Sequence, residues 1–103
     1  MKIVSVTEGE SVTLQTDVTE LRGKELIVWR FGEEGKLIAK HDIEAKSPPS
    51  YDTDGRVIDR LKLDHQTGSL IITNSRTADS GLYKVKISSN KQTLYKRFTV
   101  TVS

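Results

Sequence analysis

The sequence predicts an all-β fold, a sandwich of two antiparallel sheets, on three observations. Apolar and polar residues alternate along short segments at regular spacing. Turn-forming residues separate those segments. No apolar stripe of helical period is long enough to build a helix. With 103 residues and no cysteine, the chain has the length for one domain, 1–103, around one core. That core must stand on packing.

Residues 3–6 read as the first strand and 11–16 as the second, joined by Glu8-Gly9-Glu10; period two puts Val12, Leu14 and Thr16 on one face. The third strand, 25–31, sends Ile27, Trp29 and Phe31 inward and Leu26, Val28 and Arg30 outward. Gly32-Glu33-Glu34-Gly35 closes a hairpin into 36–41. Ser47-Pro48-Pro49-Ser50 marks a loop or a short edge, because proline lacks the N–H that a ladder requires. Beyond it, 57–63 reads as a strand with Leu61 and Leu63 inward. His65-Gln66-Thr67-Gly68 turns into 69–73, where Leu70 and Ile72 face the core. Tyr83, Val85 and Ile87 mark the next inward row and Phe98, Val100 and Val102 the last, with a turn at 88–91 between them. The chain has no internal repeat.

Composition excludes several function classes. A net charge of +2, with both signs interspersed, argues against a nucleic-acid partner, which a basic stripe would attract. No stretch reaches the roughly 18 consecutive apolar residues of a membrane span, and the first residues lack the apolar run of a signal peptide. Met1 reads as an expression start, so the chain is expected to be an excised domain. His41 and His65 have no cysteine or ordered carboxylate spacing around them, so neither a zinc site nor a catalytic triad is expected. Asp52, Asp54 and Asp59 surround a turn that lacks the later glutamate of a calcium loop, and Asx turns account for them. There is no glycine-rich phosphate cradle. No enzyme, cofactor, metal or small-molecule substrate is expected.

The run Asp79-Ser80-Gly81-Leu82-Tyr83-Lys84-Val85, together with Trp29, resembles the corner and sixth strand of an immunoglobulin domain. The resemblance implies a Greek-key sandwich in which the Tyr83 hydroxyl bonds to backbone a few residues upstream. It also places the two positions of the family's inter-sheet disulfide at Thr16 and Val85, so the bridge is absent. Losing such a bridge typically costs about 2–5 kcal/mol, and the β-branched Thr16 and Val85 are expected to fill the space beside Trp29. On that reading Thr16→Val is expected to be neutral or stabilising. The two positions stand 69 residues apart, with a hairpin and a further segment between them, which resembles the variable type. Arg60 sits where that type often pairs an arginine with the aspartate at the foot of the sixth strand, here Asp79.

Within the variable type, Trp29-Arg30-Phe31, Ile38-Ala39 and the run from Arg60 through His65-Gln66-Thr67-Gly68-Ser69-Leu70 resemble the membrane-distal domain of the signalling lymphocyte activation molecule (SLAM) family. That resemblance implies an extracellular adhesion or signalling domain of a single-pass membrane receptor on lymphocytes, from a branch that characteristically lacks the disulfide. Its partner would be another immunoglobulin-like domain, its own copy included, and the membrane would be reached only through segments outside this chain. The family's usual glycosylation sequons are absent, since Asn74-Ser75-Arg76 and Asn90-Lys91-Gln92 both fail the pattern.

Binding in such domains is expected on the exposed face of the sheet that the family letters G-F-C-C′. Alternation sends Lys84, Lys86 and Ser88 outward from one strand, Val28 and Arg30 from another, and Thr93, Tyr95 and Arg97 from a third; Lys36, Ile38 and Lys40 complete the expected partner-binding set. Tyr95 and Arg97 are of types enriched at binding hot spots. From 80 to 103 there is no acidic residue, whereas Glu33, Glu34, Asp42 and Glu44 interleave with Lys36 and Lys40. Such an arrangement is self-complementary in a twofold homodimer. Lysines on strands also serve simply to solvate the sheet and protect its edges. A second reading stays open: an intracellular scaffolding module of the muscle-protein type, in which absent cysteines are usual. The long segment between strands 36–41 and 57–63 argues against it.

Overall fold

A computed structural model describes residues 1–52 and 59–103. The described chain forms nine strands: β1 (Lys2–Val6), β2 (Val12–Leu14), β3 (Leu26–Phe31), β4 (Lys36–Asp42), β5 (Ser50–Tyr51), β6 (Leu61–Leu63), β7 (Leu70–Ile72), β8 (Gly81–Ser88) and β9 (Thr93–Val102). A single 3-10 turn, Thr77–Asp79, precedes β8. One sheet has six strands in the order β1-β9-β8-β3-β4-β5, and the other has three, β2-β7-β6. Strands distant in sequence therefore lie side by side, so most of the fold's contacts are long-range.

Pairing is antiparallel except between β1 and β9, which run parallel with Lys2 opposite Phe98 and Val6 opposite Val102. The expected two-sheet sandwich is present, and β1 joins it as its single parallel pair among the described strands. After β1 the chain leaves the six-stranded sheet for β2 in the other layer, so no hairpin forces the two strands into opposite directions. The strand expected over 57–63 is described only as Leu61–Leu63, with Asp59 and Arg60 in a turn. The expected residues 57 and 58, like Asp54 of the aspartate-rich turn, lie outside the described residues. The Pro48-Pro49 segment leads into β5, a two-residue edge strand paired with Ala39 and Lys40 of β4.

The two layers meet over Trp29, Tyr83 and Phe98, all fully buried. Trp29 lies 5.6 Å from Phe98 between ring centroids, and Phe31 lies 4.8 Å from Tyr83, both pairs tilted as the ring quadrupole prefers. Leu14, Ile27, Leu70 and Val100 close around them. Every buried side-chain nitrogen or oxygen among the described residues has a hydrogen-bond partner. Close apolar packing and full polar satisfaction among the described residues together let this core stand without a covalent link.

Two polar ties replace part of what a bridge would supply. The Trp29 Nε1–H donates to the Gly68 carbonyl at 2.9 Å. The Thr16 hydroxyl donates to the neighbouring Thr67 carbonyl at 2.7 Å and accepts the Val18 N–H at 3.2 Å. The Thr16 N–H in turn donates to Ser69 Oγ. Both layers thus grip the same turn, 64–69. Gly68 holds φ +77°, and a Cβ there would stand 3.0 Å from Ile27 Cδ1, so this turn accepts only glycine comfortably. The bonds overturn the expectation for Thr16→Val. Removing the hydroxyl leaves a part-buried carbonyl and a part-buried N–H without this partner, so the variant is expected to lose about 1 kcal/mol, read as a lowered thermal midpoint.

At the opposite end, the Tyr83 hydroxyl donates to the Asp79 carbonyl at 2.7 Å. Arg60 forks onto the Asp79 carboxylate, with Nη1 2.7 Å from Oδ2 and Nη2 2.9 Å from Oδ1. It also donates to the Asn74 carbonyl at 3.1 Å. Asp79 is 1% exposed and receives the Arg76 N–H at 2.8 Å. Burial alone would raise its carboxyl pKa. The Arg60 fork and the Arg76 N–H outweigh burial and hold it below the usual carboxylate range.

Candidate recognition face

The outer face of the six-stranded sheet follows directly from register. Arg30 of β3 stands opposite Lys84 of β8, and Lys84 opposite Arg97 of β9. One pleat further, Val28 stands opposite Lys86, and Lys86 opposite Tyr95. Leu26, Ser88 and Thr93 form the next row. Neighbouring strands lie about 4.8 Å apart, so each row sets side chains shoulder to shoulder. Tyr95 is 70% exposed, with the Lys86 ammonium 5.8 Å from its ring centroid. Arg30 reaches back to the Gly35 carbonyl at 2.9 Å.

On β4 the inward–outward alternation breaks. Pairing runs Val28 to Lys40 and Trp29 to Ala39, then Arg30 to Leu37 and Phe31 to Lys36, leaving Ile38 as the extra residue of a β-bulge. Simple alternation fails across the bulge. Ile38, expected to touch a partner, is 3% exposed and joins the core beside Ala39, while Leu37 is turned outward at 42% exposure. Lys40 keeps its place on the face opposite Val28. Lys36 lies beyond the bulge opposite Phe31, and its ammonium pairs with Asp52 at 3.3 Å, away from the cation rows. Leu37 was missed because a bulge has no signature in the alternation itself.

The structure therefore brings Val28, Arg30, Lys40, Lys84, Lys86, Ser88, Tyr95 and Arg97 onto one surface and separates Lys36 and Ile38 from it. Thr16, Trp29, Arg60, Asp79, Tyr83 and Val85 are all buried, the first and last being 2% exposed. Val85 stands opposite Trp29 on β3.

The loops at one end of the sandwich carry their own order. The Glu25 carboxylate accepts the N–H groups of Arg22, Gly23 and Lys24. Partial burial opposes its ionisation, but those N–H groups prevail and lower its pKa. Lys96 bonds to Asp17, which holds that exposed carboxyl low as well, and to the Gln15 carbonyl at 3.1 Å.

These features meet in one known pattern, and the immunoglobulin V-set domain model matches residues 2–103. The chain belongs to the immunoglobulin V-set family. A comparison with curated proteins finds no match. Among solved structures, this V-set domain is similar to CD84, a structure described in terms of SLAM family function, at TM-score 0.75 and 24% identity, covering 99% of this chain and 96% of that one. It is similar to human T-cell immunoglobulin and mucin domain protein 1 at TM-score 0.74 and 20% identity, covering 99% and 97%. The CD2-binding domain of CD58 matches at TM-score 0.72 and 20% identity, over 98% of this chain and 53% of that one, so the V-set domain spans about half the length of that chain. Identities this low show a shared fold. CD84 stands among several neighbours of comparable likeness, so the V-set assignment holds while the narrower SLAM resemblance is not singled out.

Proposed function

We propose that this V-set domain is the extracellular recognition domain of a cell-surface receptor. In this reading it meets another immunoglobulin-like domain through the outer face of β9, β8, β3 and β4, in cell adhesion or signalling. The observation that carries the reading is the face itself: an ordered platform where exposed Tyr95 and Leu37 stand among Arg30, Lys84, Lys86 and Arg97. Aromatic side chains on a rigid sheet lose little entropy on contact, and tyrosine and arginine are both enriched among interface anchors. The neighbours support it by their own descriptions: CD58 is represented by a CD2-binding domain, and the voltage-gated sodium channel beta4 subunit by homodimers of extracellular domains linked to cell-cell adhesion. Membership of the SLAM family and anchoring by a single membrane pass belong to this proposal.

Beads coated with the domain should bind lymphocytes, because many copies turn weak contacts into measurable avidity. Tyr95→Ala and Arg97→Glu are each expected to reduce bead binding at least about tenfold, the scale of a hot-spot loss. Lys62→Glu, on the outer side of the three-stranded sheet, should leave it unchanged. Equal loss with Lys62→Glu, or no loss with either face variant, would remove this surface as the binding site.

A further inference from the structure

The charge layout of the face restricts what can sit on it. Two adjacent rows, Leu37-Arg30-Lys84-Arg97 and Lys40-Val28-Lys86-Tyr95, place five cations on four neighbouring strands. Among the described residues none of Arg30, Lys40, Lys84, Lys86 and Arg97 has an ion-pair partner. Among the described residues, the carboxylates of β4 and of the β3–β4 turn lie at the rim. Asp42 stands opposite Leu26 with Oδ1 accepting the Ala45 N–H, while Glu33 and Glu34 occupy the β3–β4 turn. Like charges set opposite one another across strands are destabilising to the domain that carries them, so an anionic partner relieves a repulsion already present in the free face.

Across these rows and the adjoining Leu26-Ser88 row lies a shallow cleft of about 300 Å³, lined by Leu26 and Val28 together with Arg30, Lys84, Lys86 and Tyr95. Its apolar lining ringed by cations fits the stem and head of a glutamate or aspartate side chain. A twofold pairing through the middle of the face sets these cation rows against themselves, with the carboxylates too peripheral to compensate. An extended sulfated glycan would satisfy the charges but leave Leu37, Val28 and Tyr95 in water, whereas a folded surface covers them.

Resting on the recognition reading above, we propose that the partner is an acidic protein surface, distinct from a second copy of this chain, that seats a carboxylate side chain in this cleft. The probe is a charge-reversed copy of the domain, R30E/K84E/R97E. It exchanges a row of like charges for another row of like charges, so its fold should persist, as a thermal melt will verify; Arg97→Glu alone serves if it does not.

In sedimentation the native domain should remain monomeric, and an equimolar mixture with the reversed copy should associate, at least about tenfold more tightly at low salt than at high salt. A heparin column should not retain the native domain at physiological salt. A native dimer weakened by the reversal would overturn the proposal in favour of self-pairing while leaving the recognition surface intact. Heparin retention abolished by the reversal would overturn it in favour of a sulfated glycan. A mixture that stays monomeric would refute the acidic class, and the bead experiment would still decide independently whether this face binds.

Discussion

Asp79→Ala is expected to destabilise the domain by about 3–5 kcal/mol, measured by chemical denaturation. The carboxylate is almost wholly enclosed, and the Arg60 fork, the Arg76 N–H and the Tyr83 hydroxyl converge on this one residue. Truncation strands the Arg60 guanidinium in a site where it is 8% exposed. Replacing both partners by leucine removes the stranded charge, so the double variant is expected to cost less than the sum of the single changes. That non-additivity distinguishes a coupled pair from two separate packing losses.

The same pair sets an acid limit. Because the Asp79 carboxyl titrates below its ordinary value of 3.8 in the folded state, it contributes stability that is fully present above that value and is lost as pH falls through the lower folded pKa. Asp17 and Glu25 are lowered too and act with the same sign. The share owed to Asp79 is isolated by comparing the native domain with Asp79→Asn: the gap between their denaturation midpoints should be constant at neutral pH and narrow below about pH 4. A gap that widens on acidification would mean that burial, and not Arg60, governs this carboxyl.

Trp29→Ala should be as severe, about 3–5 kcal/mol, because it empties the centre of the sandwich and removes the donor that reaches Gly68. Trp29→Phe separates the two contributions. It retains much of the contact with Phe98 but leaves the Gly68 carbonyl without its indole donor, for an expected loss of about 1–3 kcal/mol. If the phenylalanine variant matches the alanine variant, the hydrogen bond outweighs packing at this site. If it melts with the native domain, the turn finds another donor.

Much of the architecture was legible in the sequence because it follows period two. Val12 with Leu14, Leu70 with Ile72, Tyr83 with Val85 and Ile87, and Phe98 with Val100 and Val102 all alternate inward as their spacing predicts. The Tyr83 corner and the Arg60–Asp79 fork were legible from the family motif. What escaped depends on register and distance. Ile38 was misplaced because one extra residue in β4 reverses the alternation, an event decided by the strand opposite. The parallel direction of β1 was hidden because its partner lies at the other end of the chain. The Thr16 hydroxyl was misjudged because its acceptor, Thr67, is 51 positions away. Of the recognition face, the composition was readable but the rows were not. Only pairing reveals that Arg30, Lys84 and Arg97 share one line.

The parallel union of β1 with β9 has a mechanical consequence. Lys2 and Val102 mark opposite ends of that ladder, since Lys2 aligns with Phe98 and Val6 with Val102. Tension applied to the two ends of the polypeptide pulls these strands past each other lengthwise, so the bonds joining them are loaded together in shear and cannot be unzipped one at a time. A domain tugged between two moving surfaces would resist extension at this seam first, and would yield abruptly.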